Sequence, residues 1–225
     1  MKELFIVANW KANMTSSEAT KWLQRCQISN VIRRPADQIS NKDIVICPPF
    51  TLLSMMRTQI EERKLPIKLG SQDVSPFPKG AYTGEIAADQ LKEFVSYVII
   101  GHHERRKYFR EDDQMLANKV DMALASGIVP IYCVQDEHTI VPKGVSIVVY
   151  EPVFAIGTGE PDTPDNANSV ATGIKEKAGV QTVLYGGSVT PDNVHSFMIM
   201  EHIDGVLVGS ASLDPVSFGR IYTRS

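Results

Sequence analysis

Tyr97-Val98-Ile99-Ile100 is an unbroken apolar run that ends in Gly101 and is followed at once by His102-His103-Glu104-Arg105. A strand with one wet face alternates apolar and polar residues, whereas a continuous run is what a strand buried on both faces looks like. Seven more Val- and Ile-rich runs share this form: Leu4 to Val7, Ile44 to Cys47, Ile67 to Gly70, Val129 to Cys133, Ile147 to Tyr150, Thr182 to Tyr185 and Val206 to Val208. Helical patterns separate them. Such alternation implies parallel pairing through helical crossovers, and eight units favour closure into an α/β barrel.

The punctuation agrees. Thr163-Pro164, Thr190-Pro191 and Asp214-Pro215 each place a capping side chain before a proline suited to a first helical turn. Thr15 with Glu18 reads as a capping box. Gly127 and Gly179 follow helical patterns where a left-handed C-terminal residue is wanted. The fifth βα unit is thin, because only Gln135 to Ser146 separates two strands and Val141-Pro142-Lys143-Gly144 interrupts it, so at most one helical turn is expected there. No linker-like stretch divides residues 1–225, which read as a single domain.

The bulk numbers exclude several function classes. Of 225 residues 43% are hydrophobic and 22% charged, ordinary values for a folded globular chain. A net charge of -3 gives no general attraction to nucleic acid or anionic membranes, so any anion must be held locally. Cys26, Cys47 and Cys133 lack metal-ligand spacing and read as reduced thiols in a cytoplasmic protein. No apolar stretch is long enough to span a bilayer, and Leu4-Phe5-Ile6-Val7 is too short for a signal-peptide core.

In a parallel α/β barrel the strand C-termini and the loops after them form the active face. Five expected strands deliver chemistry there: Asn9-Trp10-Lys11 after the first, His102 to Arg105 after the fourth, Glu151 after the sixth, Tyr185-Gly186-Gly187-Ser188 at the seventh, and Gly209-Ser210 after the eighth. Glycines and small residues after the last two strands suit a phosphate site built from backbone N–H groups. For Gly186-Gly187 a tight turn needing positive φ is an equal alternative. Pro152 to Gly159 is largely apolar yet broken by glycines, which suggests a lid closing over the face.

Taken together, Asn9-Trp10-Lys11, Ile99-Ile100-Gly101-His102 with Glu104-Arg105-Arg106, and Tyr150-Glu151-Pro152-Val153 leading to Ala155-Ile156-Gly157-Thr158-Gly159 resemble the triosephosphate isomerase family over nearly the whole chain. The resemblance implies a (β/α)8 TIM barrel with a shortened fifth unit, and a glycolytic and gluconeogenic isomerase that needs neither cofactor nor metal. It implies Glu151 as base, His102 as neutral electrophile, and Lys11 as the cation held by Asn9 and Glu104. It further implies phosphate binding by Gly157, Ser188, Gly209 and Ser210, with Tyr185 and Ser188 receiving the lid. The stretch Gln72 to Glu85 resembles the loop by which the family forms homodimers, through Thr83, Gly84 and Glu85, with Glu85 facing Arg105 across the interface.

Four positions depart from the family pattern. His103 replaces a serine that touches the catalytic glutamate in the open form, and Phe154 replaces the lid's tryptophan while keeping an aromatic hinge anchor. Glu160-Pro161-Asp162 replaces a short, mostly small hinge, and Ser210 replaces a glycine. These departures motivate a rival reading, a catalytically impaired phosphate-binding barrel with a binding or structural role. A second rival is a barrel isomerase of a larger phosphorylated sugar, which would lack the paired Glu151 and His102 motifs. Trp22, Met55, Met56, Met198 and Met200 fit core packing on helical segments, and His138, His195 and His202 fit surface or structural places.

Overall fold

The computed structural model describes residues 4–26, 42–155 and 160–225. Eight parallel strands close into a barrel in chain order. They are β1 (Leu4–Asn9), β2 (Lys42–Cys47), β3 (Lys68–Ser71), β4 (Tyr97–Ile100), β5 (Val129–Val134), β6 (Ile147–Tyr150), β7 (Thr182–Tyr185) and β8 (Gly205–Val208). Closure is made where β8 pairs with β1, from Phe5 opposite Gly205 to Ala8 opposite Val208.

The continuous apolar runs are explained by two cores. Phe5, Val7, Val45, Cys47, Ile99, Cys133, Val149 and Leu184 fill the barrel interior, whereas the alternate residues Ile6, Ala8, Ile46, Val98 and Val148 face outward against the helices. The outer core also holds Trp22 and Met56, as their spacing suggested, with Trp22 packed between Trp10 and Phe218.

The helices that frame the active face are α1 (Ser16–Arg25), α2 (Leu53–Glu62), α3 (Ala88–Leu91), α4 (His103–Phe109), α5 (Asp113–Ala125), α6 (Pro164–Ala178), α7 (Val194–Met198) and α8 (Pro215–Arg224). The capping box at Thr15 is formed, and Thr163 and Asp214 cap α6 and α8 as expected. Gly179 ends α6 in the left-handed region at φ 67° and Gly127 follows α5 at φ 77°.

Thr190-Pro191 differs from expectation, because α7 starts only at Val194. The Thr190 hydroxyl accepts from the N–H groups of Asp192 and Asn193, while Asn193 Oδ1 accepts from Thr190 N–H at 2.8 Å. That closed reciprocal turn satisfies the donors before a helix begins. The thin fifth unit is a loop without a helix, pinned by Asp136 Oδ1, which accepts from His138 N–H at 2.9 Å and Thr139 N–H at 2.8 Å. Ile140 beside it is 68% exposed.

Barrel closure tolerates no side chain at Gly205, since a Cβ there would lie 2.1 Å from Phe5 O. Gly205→Ala should therefore cost at least the upper end of the roughly 1–3 kcal/mol typical of overpacking. Gly219, inside α8 with nothing near its missing Cβ, provides the contrast. Gly219→Ala should stabilise by about 0.5–1 kcal/mol through helix propensity alone. Urea titrations of the two variants against the parent chain measure both, and a destabilised Gly219→Ala or an indifferent Gly205→Ala would contradict this account.

Candidate active site

Each site residue sits at the C-terminal end of a strand because closure puts all those ends on one ring. Glu151 follows β6, and its backbone N–H donates to Val134 O of β5 at 2.8 Å. His102 follows β4 and acts as the N-cap of α4, its Nδ1 accepting from Glu104 N–H at 3.3 Å. An accepting Nδ1 places the ring proton of the neutral imidazole on Nε2. That Nε2 lies 3.1 Å from Glu151 Oε1.

Burial sets the electrostatics. Glu151 is 1% exposed and His102 4%. Burial pushes the His102 pKa below the ordinary imidazole value, helped by the neighbouring His103 and Lys11 and opposed by Glu151 and Glu104. The Cys133 thiol, inside the barrel beneath the site, is raised well above its usual range by burial and then by the nearby Glu151 charge, so it stays protonated.

Lys11 adopts φ 52°, a left-handed conformation uncommon for a lysine. The loop that strains it is held from both sides. Asn9 Oδ1 accepts Lys11 N–H at 3.0 Å, and Gln72 Nε2 donates to Lys11 O and to Cys47 O, each at 2.9 Å. The ammonium bonds Glu104 Oε1 at 2.7 Å. Burial raises the Glu104 pKa, but the Lys11 hydrogen bond and charge outweigh it and leave that carboxyl below its usual value. Asn9 thus holds the lysine's backbone and Glu104 its charge.

Asn9, Lys11, His102, Ser188, Gly209 and Ser210 all line one cavity of about 660 Å³. Glu151 joins it from behind, through His102 and through Gly186, where a Cβ would meet Glu151 Cγ at 3.1 Å. Gly186 and Gly187 do not have positive φ; what forbids a side chain is crowding, because a Cβ on Gly187 would sit 2.1 Å from the Tyr185 hydroxyl. Gly157 lies outside the described residues.

Both flanks of the stretch 156–159, where the sequence suggests a lid, are tied to residues at the end of β7. Ser188 Oγ donates to Ala155 O at 2.6 Å, and the Tyr185 hydroxyl accepts from Asp162 N–H at 2.8 Å. The Asp162 carboxylate accepts from the Tyr150 hydroxyl at 3.1 Å and from Asn166 Nδ2 at 2.8 Å. Asp162, read in the sequence only as hinge, is therefore a buried anchor, and Gln72 is a second residue that motif reading missed. Phe154 is 63% exposed, so the aromatic anchor expected there is unpacked.

His103 does not offer a side-chain hydrogen bond to Glu151 as the replaced serine would. Its backbone N–H donates to Glu151 Oε2 at 3.0 Å, while its Nδ1 stands 3.7 Å from the same oxygen. Arg105 is occupied within its own chain, bonding Asp73 and Glu111 at 2.7 Å each. Thr83, Gly84 and Glu85 lie apart from the cavity on an exposed loop.

A family model described as triosephosphate isomerase matches residues 4–225. The triosephosphate isomerase of Dehalococcoides mccartyi is 38% identical over 97% of this chain and 94% of its own, and that of Synechocystis is 39% identical over 98% of each. The crystal structure of triosephosphate isomerase from Bartonella henselae superposes with a TM-score of 0.81 at 30% identity, covering 99% of this chain and 98% of that one.

The low His102 pKa makes a pH prediction. An unfolded imidazole takes a proton below about pH 6.5 while the folded one resists it, so the stability contributed by neutral His102 is present above that value and lost as pH falls toward the folded pKa. Urea midpoints at pH 7.5 and 5.5 should therefore differ less in His102→Gln than in the parent chain; an equal difference would assign the acid sensitivity elsewhere.

Proposed function

The chain belongs to the triosephosphate isomerase family and is an isomerase interconverting dihydroxyacetone phosphate and D-glyceraldehyde 3-phosphate, and on that premise we propose that Glu151 carries the proton and His102 polarises the oxygens. Glu151 removes the proton from the carbon beside the carbonyl, and the electron pair moves into an enediolate. His102 Nε2–H hydrogen-bonds the oxygen where negative charge develops. The hydroxyl proton passes to the other oxygen by way of His102 Nε2, which gives up its own proton and takes one back, while Glu151 returns the carbon proton to the neighbouring carbon, so both side chains are regenerated and the substrate gains and loses nothing.

The single observation that carries this reading is the 3.1 Å approach of Glu151 Oε1 to His102 Nε2, a base and a donor brought from β6 and β4 to one point. Its oxygen lacks a well-aligned hydrogen bond, which suits a base awaiting a proton. Burial keeps His102 neutral and therefore able to donate without being a strong acid. Lys11, pre-set by Glu104 and a strained backbone, supplies fixed positive charge beside Gly209, whose missing Cβ would lie 3.7 Å from the lysine Cε. Backbone N–H groups of Ser188, Gly209 and Ser210, with Gly157 from the lid, bind the phosphate. Nothing in the arrangement of Asn9, Lys11, His102 and Glu151 favours an impaired barrel.

The chain acts as a homodimer through the loop carrying Thr83, Gly84 and Glu85. Residues 77–85 are exposed, and Phe77 stacks on Tyr82 at 4.5 Å with nearly parallel rings, a preformed apolar tip suited to insertion into a second copy. Glu85 of the partner subunit then approaches an Arg105 already engaged by Asp73 and Glu111, which steadies α4 beneath the site. Among the described residues no helix is long and apolar enough to cross a membrane. Reduced Cys47 and Cys133 fit the cytoplasm, where triose phosphates are metabolised.

Glu151→Gln keeps the shape and removes the base, so kcat should fall by about 10³-fold with KM nearly unchanged in a coupled isomerase assay. A variant as fast as the parent would refute the assignment. In sedimentation the parent should run at twice its chain mass, and Tyr82→Asp should shift it to monomer at the same concentration. A monomeric parent would end the dimer reading.

A further inference from the structure

We infer that His102, His103 and Glu151 form a chelating site for a borderline-soft divalent cation such as Zn²⁺, which occupies the catalytic pair and inhibits the enzyme reversibly. One donor atom from each residue lies within 4.8 Å of the others. His102 Nε2 is 3.1 Å from Glu151 Oε1, and His103 Nδ1 is 3.7 Å from Glu151 Oε2. Tetrahedral zinc with bonds of about 2.1 Å separates its ligands by roughly 3.4 Å, so small side-chain shifts bring all three into range.

A second observation points to the same place. His103 Nδ1 and Glu151 Oε1 are both buried without a hydrogen-bond partner, and the Glu151 side chain is almost wholly enclosed. Unpaired buried polar atoms are costly, and a cation would satisfy both at once. Two imidazole nitrogens and one carboxylate select zinc-like ions over magnesium or calcium, which take oxygen ligands.

The surroundings decide whether the imidazole can comply. Binding at His102 Nε2 needs its proton on Nδ1, which forfeits the 3.3 Å bond from Glu104 N–H. Glu104 Oε2 stands 3.7 Å from that Nδ1 and can accept the relocated proton, the carboxylate–histidine–metal arrangement that orients metal ligands. Lys11 opposes the cation by charge, but its ammonium is drawn to Glu104 at 2.7 Å. His103 is the residue that makes the site, because Glu151 and His102 alone supply only two ligands.

Chelation itself stands on this geometry; its inhibitory effect rests on the roles proposed above for Glu151 and His102. Binding is read from the visible absorption of Co²⁺ titrated into the whole protein, and inhibition from initial rates with Zn²⁺ at varied triose phosphate. The expected result is one Co²⁺ per chain and Zn²⁺ inhibition competitive with substrate, reversed by a chelator and absent with Mg²⁺. His103→Ser and His103→Asn, each checked for an unchanged melting temperature, should raise the Zn²⁺ inhibition constant at least about tenfold and abolish the cobalt band. Inhibition constants unaltered in both folded variants, or a cobalt spectrum showing thiolate ligation, would overturn the site. A cobalt band that needs His103 while turnover continues undiminished would keep the site and overturn the inhibition, and with it the catalytic roles.

Discussion

Closure of β8 onto β1 is the constraint on which the molecule depends. In an open sheet the ends of β1, β4, β6 and β8 would be spread along an edge, each strand displaced from the next by about 4.8 Å. Closure bends that edge into a ring, so Lys11 from β1 passes beside Gly209 from β8, and Glu151 from β6 meets His102 from β4. The pairing succeeds only because Gly205 lets the β8 backbone come up against Phe5, whose N–H donates to Asp204 O at 2.9 Å. A steric condition at the bottom of the barrel thus sets distances at its top.

The second determinant is burial, and it acts differently on each group. His102 is stabilised neutral, Cys133 is kept protonated, and Glu104 remains ionised because Lys11 offsets its desolvation. A cluster in which every charge was paired would be rigid but inert. Here the ammonium and Glu104 are paired, whereas Glu151 has one oxygen held by His103 N–H and the other without an aligned donor. The atom proposed as the base is the one the fold leaves incompletely satisfied.

Much of this was legible from local pattern. The eight strands were readable because both faces are buried, so their periodicity was erased into apolar runs whose ends matched the observed elements within two residues. Residues whose roles depend on their own strand end, such as Glu151 and His102, stood out from their neighbours. Gln72 and Asp162 did not, since their partners lie 61 and 23 positions away and nothing local distinguishes them from solvated polar residues. Thr190-Pro191 misled for a related reason: Asn193 answers its own capping residue in a closed turn, a competition that a two-residue signal does not contain. Arg105 likewise satisfied two carboxylates of its own chain, Asp73 and Glu111, which spacing could not connect to it.

The missing fifth helix shows how little the chemistry needs the outer wall. Parallel strands require a crossover of about a dozen residues, and residues 135–146 between β5 and β6 supply just that many without a helix. Glu151 hangs on the inner pairing, where Ile131 to Val134 face Ile147 to Tyr150 in unbroken register and Val134 O accepts the Glu151 N–H. Losing the helix therefore exposes Ile140 and part of Leu124 on the outside but leaves every strand contact that aims the carboxylate. The outer wall and the strand pairing that aims Glu151 are different layers of the same barrel, so the outer layer can thin while the inner pairing stays in register.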